Sequence, residues 1–163
     1  KDQNLNDFPE DIKQYKVIIT YNGKSFDVPF IERYFDIQLN QAHIDLRYVL
    51  ASLGYKGGLK SCETQLGLNR GDLMDVDGFF AVLLWHDYLK NRNEKALETL
   101  LAYNIQDVLT LEMLMVISYN LKIKDIPFYR NSLPEPVLPE SPFRVDMETM
   151  ERIRSEQTYF GLV

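Results

Sequence analysis

Lys16-Val17-Ile18-Ile19-Thr20-Tyr21-Asn22-Gly23-Lys24-Ser25-Phe26-Asp27-Val28-Pro29-Phe30-Ile31 is the stretch that decides the fold class. It opens with a short β-branched run over residues 16–21, the pattern of a buried strand. Asn22-Gly23 is a turn signal that ends the run. Asp27 then stands two residues ahead of Pro29, a residue suited to the first turn of a helix. Strand, glycine turn and helix in that order belong to an α/β fold. They hold Asp27 near the C-terminal end of the strand, the edge where open α/β sheets take their ligands. Taken singly, Asp27 reads equally well as a helix cap whose carboxylate accepts backbone N–H groups.

Outward from this stretch, helical signals dominate. Ala42-His43-Ile44-Asp45-Leu46 is a second, shorter strand. Helices are expected over residues 7–14, 29–36, 46–53, 58–66, 78–90 and 93–122. The last is the best supported, with Leu97, Leu101, Ile105, Val108, Leu111 and Met115 spaced in threes and fours. Within it Tyr103 and Asp107 lie four apart, so phenol and carboxylate project from one face, one above the other. A carboxylate there can hold a metal, and a phenol one turn away can orient an attacking water. An isolated pair of this kind is also what a solvated aspartate beside a half-buried tyrosine looks like. Two strands do not make an independently stable sheet. The strand at residues 17–20 is therefore expected to find its other neighbours in a preceding segment absent from this sequence or in another chain.

The 163 residues are 45% hydrophobic and 12% aromatic, which excludes a disordered chain and suffices for a real core. No run of 18 consecutive apolar residues occurs, so no membrane partner is expected. The single cysteine, Cys62, makes neither an internal disulfide nor a thiolate zinc site, and a reducing, cytoplasmic setting is the expectation. With 18 basic against 24 acidic residues the formal charge is −6, which argues against nucleic-acid binding through sheer positive field. It does not argue against a carboxylate-metal enzyme, whose ions neutralise phosphate locally. Pro127, Pro134, Pro136, Pro139 and Pro142 make residues 126–143 an extended strap or linker. The expected organisation is a domain over 1–125, this strap, and a short helical appendage over 144–163.

Asn22-Gly23-x-x-Phe26-Asp27 after a strand, followed by several helices and then Tyr103-Asn104-x-x-Asp107 in a long apolar helix, resembles the second and third motifs of the DEDDy group. These are the DnaQ-like 3′–5′ exonucleases of the ribonuclease H-like superfamily, and the likeness is nearest to their YprB-like branch. Gly57-Gly58-Leu59-Lys60-Ser61-Cys62-Glu63, Leu66-Gly67-Leu68, the stretch from Gly78 to Trp85, and Leu100-Leu101-Ala102 add to it. The resemblance covers about residues 10–122. It implies a ribonuclease H-like α/β fold, of which this chain holds the C-terminal, helix-rich portion with few strands. It implies that Asp27 and Asp107 are ligands of two divalent ions, Mg²⁺ or Mn²⁺, and that Tyr103 positions or deprotonates the nucleophilic water. It implies a nucleic-acid 3′ end as substrate, DNA or RNA, with Asn22, Lys24 and Lys60 in its neighbourhood.

The family also carries a first motif, Asp-x-Glu, on an opening strand, and the residues ahead of Lys16 spell none. The activity implied is therefore that of an exonuclease inactive as this chain alone. The alternatives are a catalytically silent nucleic-acid-binding module of the same fold and an all-helical interaction domain. Asp146-Met147-Glu148 spells Asp-x-Glu, but it follows the prolines and reads as a cap opening a polar helix. Asp72 to Gly78 fails as a calcium loop, because Leu73 and Leu84 fall on ligand positions. Asp45 is expected to cap the next helix, and His43 and His86 to be structural. Arg70 joins the two lysines as a contact for phosphate oxygens. Trp85 and Phe79-Phe80 are expected in a core stripe.

Overall fold

A computed structural model describes residues 5–74, 76–128 and 131–159. The chain forms two compact units, Lys1–Leu66 with Leu111–Pro136, and Gly67–Thr110 with Val137–Val163.

In the first unit, α1 (Phe8–Asp11) lies between 3₁₀ turns at Leu5–Asp7 and Ile12–Gln14, so the helix expected over 7–14 is present only in pieces. The strand β1 (Val17–Thr20), helix α2 (Asp27–Phe35) and strand β2 (Ala42–Asp45) follow, then α3 (Leu46–Ser52) and α4 (Leu59–Gln65). The strands pair in parallel, with Val17 opposite Ala42 and Thr20 opposite Asp45. A parallel pair needs a crossover, and α2 supplies it. The β-branched run Val17-Ile18-Ile19-Thr20 sets the strand, and Thr20 Oγ1 meets His43 Nε2 at 2.9 Å across the pair. Among the described residues the sheet holds these two strands alone. Leu46, Leu50 and Cys62 are fully buried.

The second unit contains a 3₁₀ turn at Gly71–Leu73, α5 (Gly78–Asn91), the part of α6 (Glu94–Ile123) up to Thr110, and α7 (Met147–Tyr159). Its core is Leu73, Val76, Phe80, Leu84, Ala96, Met150 and Ile153, with Leu100 and Tyr103 packed against it. The helix expected to be polar, α7, thus contributes two buried apolar side chains. Asp146 caps it, accepting from the Thr149 N–H at 2.9 Å, as its place ahead of the helix suggested. Asp77 caps α5 in the same way, through the Phe80 N–H at 2.8 Å.

The buried face of α6 differs from the expected stripe. Ala96, Thr99, Ala102, Thr110, Leu114 and Ser118 are buried, while Val108 is exposed. Leucine and methionine surround much of this helix, so steps of three and four can be drawn on more than one face. Its most apolar 18-residue window has a mean hydropathy of 1.4, long and apolar enough to cross a membrane by length and composition. Polar residues interrupt that window, so it is apolar on average without being an unbroken apolar run. On α5, Phe80 and Leu84 are buried but Phe79 and Trp85 are exposed, so the expected stripe holds only one of its three aromatics.

Asp87 joins α5 to α7. Its carboxylate accepts from Asn91 Nδ2 at 2.7 Å, Asn93 Nδ2 at 2.8 Å and an Arg152 guanidinium N–H at 2.6 Å. Burial pushes its pKa up, but these hydrogen bonds and the Arg152 charge outweigh burial and hold it below the ordinary carboxylate value. A carboxylate lowered by folding stabilises the fold above its unfolded pKa, and that contribution is lost as pH falls through the folded value. The second unit is therefore expected to lose stability progressively below about pH 4. Asp87→Asn should flatten that acid limb in thermal unfolding followed by circular dichroism, and an unchanged limb would remove Asp87 as its source.

Candidate functional site

At the C-terminal end of β1 the chain turns sharply. Asn22 takes the left-handed conformation, φ 65°, which its short side chain tolerates better than most. A Cβ on Gly23 would stand 2.6 Å from the Thr20 side chain, so only glycine fits there. The Val28 N–H closes the turn on Gly23 O at 2.8 Å. Asp45, at the C-terminal end of β2 and buried, holds the turn from the neighbouring strand. Its Oδ1 accepts from the Asn22 N–H at 2.7 Å and the Arg47 N–H at 3.1 Å, and its Oδ2 from the Lys24 N–H at 3.0 Å. The capping role read for Asp45 is thus one of two, and the second joins the strand ends. An Arg47 guanidinium N–H donates to Asn22 Oδ1 at 2.6 Å. Arg47 has no motif of its own, and only its place two residues after a capping aspartate could have suggested it.

This turn delivers Asp27 to the first residue of α2, and Phe26 rather than Asp27 occupies the cap position. Asp27 is exposed, and among the described residues its carboxylate takes no hydrogen bond or ion pair. The capping reading of Asp27 therefore has no bond behind it. It lines a surface cavity of about 440 Å³ with Phe26, Phe30 and Ile31. Lys24 is exposed in the same turn and Lys60 is half-buried on α4.

In the second unit Tyr103 and Asp107 stand one turn apart on α6, where the carboxylate's charge acts on the phenol. Burial first, then the Asp107 charge, push the phenol up to about 12 against an opposing pull from Arg70. Tyr103 is therefore a proton donor at neutral pH. Arg70 was expected at phosphate. Its side chain is instead 3% exposed, and its NH1 lies 2.7 Å from Asp107 Oδ1. Its guanidinium carbon stands 5.9 Å from the centre of the Tyr103 ring. Asp27 and Asn22 belong to the first unit, Tyr103 and Asp107 to the second.

A family model described as RNase_H superfamily matches residues 1–119. The chain belongs to the RNase H superfamily. Neither the curated proteins nor the solved structures yield a match. Nucleases of the RNase H superfamily generally use divalent metals. Carboxylate oxygens are the donors Mg²⁺ and Mn²⁺ take. The residues do not yet make such a site. Among the described residues no three His, Cys, Asp or Glu side chains gather around a common point. Asp107 already has a cation in contact with one of its oxygens.

Proposed function

We propose that this RNase H superfamily chain carries part of the site of a metal-dependent 3′–5′ exonuclease of the DEDDy type, near the YprB-like branch, hydrolysing phosphodiesters of DNA or RNA. The observation that carries the reading is the Tyr103–Asp107 pair, one turn apart on α6 and downstream of the Asn22-Gly23-x-x-Phe26-Asp27 turn. In this reading Asp27 and Asp107 are two of four carboxylates that would hold two divalent ions, and those ions would supply activation of a water and charge stabilisation at the departing oxygen. Tyr103, one turn from Asp107, is the group that positions or deprotonates the attacking water in this reading. Asn22 shapes the turn, and Lys24 and Lys60 meet phosphate oxygens.

In this reading the remaining carboxylates are those of the family's Asp-x-Glu motif, which the residues ahead of Lys16 do not spell. The chain alone is accordingly expected to leave 5′-labelled single- and double-stranded DNA and RNA intact on a denaturing gel. A version that supplies Asp-x-Glu on a strand beside β1 should shorten at least one of them from the 3′ end in Mg²⁺ or Mn²⁺, and EDTA should stop it. The silent nucleic-acid-binding module is the second reading, favoured by the Arg70–Asp107 ion pair and by the absence of a gathered ligand set among the described residues. Binding of those oligonucleotides with no shortening in any metal would select it.

A further inference from the structure

Arg70 sits where an arginine is costly to put. Its side chain is 3% exposed, and a guanidinium keeps its charge at any pH a protein survives. A buried charge of that kind is tolerated only with a partner, and Asp107 is in contact with it at 2.7 Å. The backbone that brings it inward is fixed on both sides. The Gly71 N–H donates to Asn69 Oδ1 at 2.8 Å across Arg70, and Gly67 and Gly71 take left-handed φ values of 77° and 54°. Leu73 and Val76, directly after it, are buried in the same core against which Tyr103 packs. Loop, ring and carboxylate thus form one assembly in which Arg70 is a built part.

We propose that Arg70 is the resident counter-cation of Asp107 and decides which cation that carboxylate holds, so that a divalent ion gains Asp107 only when the guanidinium is withdrawn. The physical basis is direct. Asp107 Oδ1 is already neutralised, and a divalent ion approaching the same carboxylate meets a positive charge at hydrogen-bond range with little water between them. The proposal deepens the nucleolytic reading, resting on it for the role of Asp107, and adds to the site a residue that the motifs do not contain.

The test needs no catalysis. Mn²⁺ binding to the 163-residue chain is followed by the electron paramagnetic resonance signal of the free ion, with Tm measured in parallel. Wild type and R70K, which keeps the charge, should show no Mn²⁺ binding that D107N removes. R70M should gain at least about tenfold in Mn²⁺ affinity, the scale on which an outer partner tunes a ligand. The gain should vanish in R70M/D107N. An R70M chain that folds yet binds Mn²⁺ as wild type does would overturn the proposal. So would wild-type Mn²⁺ binding that D107N abolishes, a comparison that decides even where R70M fails to fold. Nuclease assays report separately. A protein that never cleaves but shows the Mn²⁺ gain loses the exonuclease reading and keeps the counter-cation. Cleavage without the gain does the reverse.

Discussion

Asp27→Ala and Asp107→Ala are each expected to lower metal-dependent 3′ shortening by at least on the order of 10³-fold, in a version of the protein that supplies the Asp-x-Glu strand. Metal-ligating carboxylates act as a unit, so losing either member removes most of what both provide. Their structural costs should be unequal. Asp27 is exposed and takes no described partner, so Asp27→Ala leaves nothing unpaired. Asp107→Ala removes the carboxylate that lies 2.7 Å from the buried Arg70 guanidinium and should also lower Tm. Comparing the two variants therefore separates a chemical loss from a folding loss. Tyr103→Phe keeps the ring against the core and removes only the hydroxyl, and about 10²-fold is expected. Initial rates on a 5′-labelled strand measure all three. Asp107→Ala cleaving at the wild-type rate would remove Asp107 from the site.

The second large effect concerns a residue that touches no substrate. Asp45→Ala removes a buried carboxylate that accepts from the Asn22, Lys24 and Arg47 N–H groups. Hydrogen bonds to a charged group are the stronger kind, and water replaces part of what is lost at a turn. A cost of about 2–4 kcal/mol is expected, a fall in Tm of roughly 5–15 °C. Asp45→Asn keeps one acceptor oxygen and should cost about half as much. Urea unfolding followed by circular dichroism is the measurement. A loss below about 0.5 kcal/mol for Asp45→Ala would mean that the turn is held by other contacts.

The local code around β1 was legible in the sequence because every signal agreed. A β-branched run, an Asn-Gly turn and a proline two residues into a helix place β1, the turn and α2 within a residue or two of where they stand. The membership in the RNase H superfamily was legible through the order of the two motifs. Less legible were features in which one element answers another. Asp45 caps its own helix, which sequence shows, and also secures a turn 21–23 residues earlier, which only the pairing of Thr20 with Asp45 explains. Arg70 looked like one more surface cation, because its burial depends on a loop with no periodic pattern. The buried face of α6 was misread because apolar residues on several sides leave the period without a phase. The gathering of Asp27 and Asp107 remains part of the proposal.

The seam in the second unit sets an order of events during synthesis. Its core takes Leu73 to Ala96 early in the chain and Met150 and Ile153 late, and residues 111–136, which lie between, belong to the first unit. A ribosome adding some 5–20 residues per second leaves the early half of that core without its lid for several seconds. In the last part of that interval, once Pro136 has been made, the first unit has all of its sequence and the second does not. A stop codon anywhere before Met150 would leave that core permanently without Met150 and Ile153.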